Sequence, residues 1–305
     1  MSRSKTESKG VLLFAENNSK VNYVQLAIVA ATCIKNNLGK KTRVSLITNE
    51  FSLGWVKNKK LLDKLFDKII IKPNDLTEDD DRATNTRLYR DTIYYTQKAQ
   101  FLNQSRCSAY ELSPYEETLL IDVDYFILND SLNAVWGCDE DFLINNKALS
   151  LLHEPLAGQE FRLNPYGIRM YWATVIFFRK SLKAELIFGL VEHIKEHWDY
   201  YKYVYNFPGA LFRNDFAFSI AIHMVNGFME DEQMIKSLPN AEILTAIDKD
   251  QFIEFEDKSS VKLFVNDPKE NWKFYVSKVK AVNVHCMNKF SVLHNYDKIM
   301  SVINE

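Results

Sequence analysis

VLLFAENNSKVNYVQLAIVAATCIKNNLGKKTRVSLIT, residues 11–48, decides the fold class. VLLFA (11–15) is a short apolar run closed by the polar cluster Glu16-Asn17-Asn18-Ser19, the pattern of a buried strand that runs into a loop. Residues 21–36 place Tyr23, Leu26, Ala27, Ala30, Ala31 and Ile34 at three- and four-residue spacing, and Asn36-Asn37-Leu38-Gly39 stops the helix this spacing predicts. TRVSLIT (42–48) alternates as a second strand. An amphipathic stretch from Trp55 to Phe66 leads to DKIIIK (67–72), a third. The resulting β-α-β-α-β order predicts an α/β fold: a Rossmann-like, mostly parallel sheet flanked by helices.

Outward from there, Asn74–Thr84 with its run Glu78-Asp79-Asp80-Asp81 reads as a solvated acidic loop, and Leu88–Leu102 as a long helical stretch. SPYEETLLIDVDYFILND (113–130) is turn, apolar strand, carboxylates and a second apolar run. YWATVIFF (171–178) is a further buried strand, followed by an amphipathic helix from Ser181 to about Tyr201. The last third adds a helix near 215–226, a weaker polar region at 229–260, and strands near 261–265 and 281–285. No linker rich in Gly, Pro or Ser divides the chain. The expectation is a polar tail at 1–9 and one domain at 10–305.

Hydrophobic residues make up 47% and charged residues 26% of the 305, with 9 Gly and 7 Pro, a composition that excludes collagen-like and disordered classes. The net charge of -2 supplies no global basic field toward nucleic acid or an anionic membrane. The longest weakly polar stretch, Val24–Ile34, contains Gln25 and Thr32 and falls short of the roughly 20 apolar residues a membrane span needs. The polar MSRSKTESKG start and the short run after it predict no signal peptide, hence a cytoplasmic protein. Cys33, Cys107, Cys138 and Cys286 form no CxxC pair and read as reduced thiols.

Asp122-Val123-Asp124 is the sharpest motif. With 20 Asp in the chain about one DxD arises by chance, and Asp79/Asp81, Asp139/Asp141 and Asp248/Asp250 repeat the spacing. Context separates them: Thr118-Leu119-Leu120-Ile121 carries the chain along an apolar strand straight to Asp122 and Asp124. Carboxylates two apart on extended backbone share a face, and ligands of open α/β sheets collect at strand carboxyl ends. Two hard oxygen ligands there suit Mg²⁺ or Mn²⁺ bridging a diphosphate.

SPYEETLLIDVDYFI resembles the strand and DxD segment of nucleotide-sugar glycosyltransferases of the GT-A fold, in particular the family-eight-like group and related phage and marine bacterial enzymes. The likeness runs from Val11 to about Leu293, with the DxD segment its specific part. It implies a nucleotide-binding half at 10–130 and an acceptor half at 131–305. It implies a UDP-linked sugar as donor, with Asp122 on ribose and metal and Asp124 and His285 on the metal. In Val282-Asn283-Val284-His285-Cys286-Met287-Asn288-Lys289, His285 stands at a strand end and Lys289 near the phosphates, although the family's Gly-Lys-Pro-Trp continuation is absent. Lys98 would face the diphosphate and Arg90 the phosphates, both otherwise helix-surface residues. Ala15, Asn17 and Tyr23 would line the base and ribose, with Tyr23 alternatively a core residue. The family's Asn-x-Gly before an apolar strand is replaced by Trp172-Ala173-Thr174, which leaves the sugar open. Asp215, in Phe212-Arg213-Asn214-Asp215-Phe216-Ala217, matches the acidic motif near the reacting carbon and would serve equally as an N-cap. The acceptor implied is a hydroxyl on a glycan, lipid or protein. A modified DNA base is the alternative, which the near-zero charge disfavours.

A competing class comes from His193-Ile194-Lys195-Glu196-His197, which satisfies the HxxEH pattern of inverted zinc metallopeptidases. Ile187, Leu190, Val191, Ile194 and Trp198 form the apolar stripe of that helix, so both histidines fall on its polar flank beside Glu192 and Lys195, whereas a zinc site should point into a cleft with a third ligand, and none is suggested nearby.

Overall fold

The structure, a computed structural model, describes residues 7–73, 86–92, 94–156, 162–164, 167–207, 210–230, 235–240, 242–267, 269–270 and 272–304. In chain order the elements are β1 (Glu7–Phe14), α1 (Tyr23–Asn37), β2 (Val44–Thr48), α2 (Glu50–Gly54), α3 (Lys59–Leu65), β3 (Lys68–Ile71), β4 (Thr86–Arg90), β5 (Thr96–Gln100), α4 (Ala109–Leu112), β6 (Tyr115–Ile121), β7 (Tyr125–Phe126), β8 (Phe142–Asn145) and β9 (Ala148–Ser150). Then follow β10 (Trp172–Arg179), α5 (Leu182–Glu196), α6 (Trp198–Val204), α7 (Asn214–Val225), β11 (Ile243–Ala246), β12 (Gln251–Asp257), β13 (Ser260–Asn266), β14 (Phe274–Lys280), β15 (Val284–Cys286), α8 (Lys289–His294) and α9 (Tyr296–Ile303). The fold is mixed α/β with a mostly parallel central sheet flanked by helices, as the opening β-α-β-α-β pattern predicts.

The described residues group into two compact units. One comprises residues of 1–12, 104–121 and 131–243, with strand order β1-β6-β10-β8. Here β10 runs antiparallel to both β6 and β8. Its core is aromatic: Phe188 of α5 meets Phe178 of β10 with ring centroids at 4.8 Å and Phe218 of α7 at 5.4 Å, both edge-on. Gly10 faces the Tyr115 ring so closely that a Cβ would lie 2.3 Å from it, so no larger residue fits without displacing that ring.

The other unit comprises 13–103, 122–130 and 244–305. It holds the order β3-β2-β1, with β2 parallel to β3, and the antiparallel ribbon β12-β13-β14. α1 is buried along most of its length, from Tyr23 to Ile34, and starts where Asn22 Oδ1 accepts the Gln25 N–H at 3.1 Å. At its other end Asn37 Nδ2 donates to the carbonyls of Cys33, Ile127 and Lys258, tying the helix to two distant loops.

Three expectations need correction. Leu88–Leu102 is not helical: β4 and β5 form an antiparallel hairpin with Leu88 opposite Lys98. The stretch is rich in Thr and Tyr, which pack well on a pleated surface, and only Tyr89 and Ala99 are buried within the two strands, a strand-like alternation. Arg90 and Lys98 therefore stand on strands. The helix expected from Ser181 to Tyr201 is two helices, because α5 ends at Glu196 and α6 begins at Trp198, with His197 between them. The polar region at 229–260 contains β11 and β12, and β14 precedes the short strand found at 284–286. The acidic run Glu78–Asp81, with Asp79/Asp81, and most of the N-terminal tail lie outside the described residues.

Candidate active site

After Ile121 the chain turns, the Tyr125 N–H donating to the Asp122 carbonyl at 3.0 Å, and β7 follows at once. β7 pairs antiparallel with β15, with His285 opposite Tyr125, and the Cys286 N–H donates to the Asp124 carbonyl at 2.8 Å. Main-chain pairing thus brings His285 to the DxD. One ligand atom from each of Asp122, Asp124 and His285 lies within 4.8 Å of the other two.

Asp124 is 4% exposed, and both its oxygens have partners: His285 Nε2 is 3.4 Å from Oδ1, and Lys289 Nζ donates to Oδ2 at 2.6 Å. Burial would raise its pKa, but the charges of Lys289 and His285 and their hydrogen bonds outweigh that and hold the carboxyl well below the usual range. Burial would likewise lower the pKa of His285 and of Lys289, and the Asp124 charge raises both above their ordinary values. Lys289 opens α8 behind the cap Asn288, whose Oδ1 accepts the Ser291 N–H at 3.0 Å. A second Lys289 bond runs to the Met287 carbonyl at 3.2 Å.

β11 runs parallel to β15, so the residues after each strand leave in the same direction, and Asn288 Nδ2 donates to the Asp248 carbonyl at 3.0 Å. The Asp248 carboxylate is within electrostatic reach of Lys289, His285, Asp124 and Arg90. The sequence reading missed it, yet its signal is the one that singled out Asp122: an apolar run, Ile243–Ile247, leads straight into Asp248. Its neighbour Asp250 points elsewhere. It is 2% exposed and accepts the N–H groups of Ile247 at 2.8 Å and Asn266 at 2.9 Å.

Among the nucleotide-lining residues expected from sequence, Ala15 is buried and joined to β2 by its N–H to the Ile47 carbonyl at 2.9 Å. Asn17 is committed to the scaffold, its Oδ1 accepting the Val24 N–H at 3.1 Å and its own N–H donating to Ser52 Oγ at 2.7 Å. Tyr23 is buried and donates to Tyr89 at 3.1 Å, which makes it a core residue rather than an open stacking face. Burial, with Tyr89 and Asp124 nearby, pushes its phenol well above its ordinary pKa. Lys98 is exposed on β5.

Asp215 belongs to the other unit. It lies in the first turn of α7, past the cap position that Arg213 fills, so the N-cap alternative falls. Its Oδ1 accepts the Ala173 N–H at 2.8 Å and its Oδ2 the Arg213 guanidinium at 2.6 Å. Burial would raise its pKa, but Arg213, the Ala173 N–H and Arg106 together lower it. Arg106 also donates to the Ala173 carbonyl. The Trp172-Ala173-Thr174 segment is thereby gripped at both its N–H and its C=O.

His193, Glu196 and His197 also gather their ligand atoms within 4.8 Å, but all three are exposed at the end of α5. His197 Nδ1 lies 2.9 Å from the His193 carbonyl.

No family model matches the sequence, and no curated protein matches it. Among solved structures the chain is similar to the glycosyltransferase GlyE of Streptococcus pneumoniae TIGR4, at 12% identity over 72% of this chain and 43% of that one, TM-score 0.38. It thus spans under half the length of that enzyme. It is also similar to the galactosyltransferase LgtC in complex with donor and acceptor sugar analogues, at 15% identity over 70% of each chain, TM-score 0.42. Mouse xyloside xylosyltransferase 1 matches at 11% identity over 76% of this chain and 85% of that one, TM-score 0.44.

The donor set fits a divalent cation. Two carboxylates and an imidazole offer oxygen and nitrogen ligand atoms together, with the carboxylate oxygens the kind that Mg²⁺ or Mn²⁺ takes. Among the described residues no helix is long and apolar enough to cross a membrane.

Proposed function

We propose that this protein transfers a glycosyl group from a nucleoside-diphosphate sugar, UDP-linked, to an acceptor hydroxyl on a glycan, lipid or protein. The observation that carries the reading is the meeting of Asp122, Asp124 and His285 beside Lys289, which gives a buried carboxylate whose charged form Lys289 and His285 favour. A divalent cation held by these three would offset the charge that develops on the departing diphosphate. Lys289 serves the same anion, with Arg90 and Lys98 as further cations toward the phosphates. Ala15 and Asn17 shape the base and ribose region through backbone and scaffold bonds. Asp215, with both oxygens engaged, acts as a positioning residue: it fixes Ala173, in the segment that takes the place of the family's sugar-contacting motif. The division of labour between residues 10–130 and 131–305 belongs to the same proposal.

In the reaction the bond between the sugar's anomeric carbon and the diphosphate oxygen breaks, and a bond to the acceptor oxygen forms. The acceptor's proton is released. Calorimetric titration with UDP tests the reading: binding is expected in Mn²⁺ and strongly weakened in EDTA, because the diphosphate would otherwise face two carboxylates. Equal UDP affinity under the two conditions removes the cation-bridged site.

A further inference from the structure

The cationic partner of Asp124 Oδ2 is a lysine of the same chain, and this has a consequence for loading. Resting on the transferase reading above, we infer that Lys289 guards the cation site. It neutralises Asp124 until a divalent cation and a nucleoside diphosphate arrive together, and it then leaves Asp124 for the diphosphate.

Three observations carry this. Asp124 is buried and its two oxygens are taken by His285 and Lys289, so a cation that uses this carboxylate must compete with a bond of 2.6 Å. Lys289 Nζ has few other holds near Asp124, a 3.2 Å bond to the Met287 carbonyl being the second. It ends a flexible four-carbon stem, which lets an ammonium take more than one partner. Finally, charge balance favours joint arrival. A dication alone would sit against the Lys289 ammonium, and a diphosphate alone would face Asp122, Asp124 and Asp248, whereas the two together bring opposite charges that satisfy both sides. Cation and nucleotide therefore raise each other's affinity by the same factor.

The test measures Mn²⁺ binding by electron paramagnetic resonance, with and without UDP, in the full-length protein. In the wild type, UDP should tighten Mn²⁺ binding at least ten-fold. Lys289→Met should bind Mn²⁺ alone at least ten-fold tighter than wild type, with the UDP enhancement reduced to a few-fold. Lys289→Arg, which keeps the charge, should retain weak binding of Mn²⁺ alone. A folded Lys289→Met protein that binds Mn²⁺ no tighter than wild type overturns the inference.

Because Lys289→Met leaves a buried carboxylate without its partner, a second measurement uses the wild-type fold. The Lys289 side-chain resonance in lysine-labelled protein, assigned by its loss in Lys289→Arg, should shift when Mg²⁺ and UDP are added together. An unmoved resonance at saturation also overturns the inference. Absence of UDP binding under every condition would sink the transferase reading instead, and the Mn²⁺ affinity of Lys289→Met would still decide the role of Lys289.

Discussion

Asp124 carries two burdens, and substitution should expose both. Asp124→Asn removes the negative charge from the proposed cation site and is expected to lower turnover on the order of 100-fold or more. It also leaves Lys289 facing a neutral amide in a buried setting, where breaking an ion pair costs about 3–5 kcal/mol. A thermal melt beside the rate measurement separates the two effects, and wild-type turnover by a normally folded variant would remove Asp124 from the chemistry. Asp250 has only a structural burden. It lies in the stretch 229–260 that the sequence marks as weakly polar, yet it is buried and satisfies two N–H groups, so Asp250→Ala should cost about 2–4 kcal/mol of stability. Turnover well below the melting temperature should stay near wild type, and a large loss there would bring Asp250 into the chemistry.

At the scale of elements, α5 and the hairpin β4-β5 show how local pattern meets packing. The apolar stripe of α5 buries Ile187, Phe188, Val191 and Ile194, which leaves His193 and His197 outside, as the stripe predicts. The double variant His193→Ala/His197→Ala is therefore expected to keep transfer activity within a few-fold of wild type. A loss of activity together with a stoichiometric zinc would favour the peptidase class. Leu88–Leu102 reads as helical in the sequence, and the chain forms the hairpin β4-β5 instead. Its Thr and Tyr content and the turn, where Thr92 Oγ1 accepts the N–H groups of Tyr94 and Tyr95, decided otherwise.

For the whole molecule, acid stability should follow its ion-paired carboxylates. The Asp215 pKa is lowered in the folded state, so its contribution is fully present above the unfolded value of about 3.9 and is lost as pH falls through the lower folded value. Urea unfolding of Asp215→Asn against wild type should show a gap of about 1–3 kcal/mol at pH 7 that narrows below pH 4. A gap independent of pH would mean that Asp215 acts by shape alone. Near neighbours along the chain already encode the β-α-β-α-β opening, the apolar strand that delivers Asp122 and Asp124, and the polar flank of α5. Periodicity and burial pressure act over one element, so they are legible in one element. The assembled fold is what brings Asp124 to Lys289 across 165 residues, sets Asp248 within electrostatic reach of both, and spends Asn17 and Tyr23 on the scaffold. Those outcomes depend on which strands pair and in what register, and the parallel alignment of β11 with β15 and the antiparallel alignment of β15 with β7 is a property of the assembled sheet that no single segment encodes.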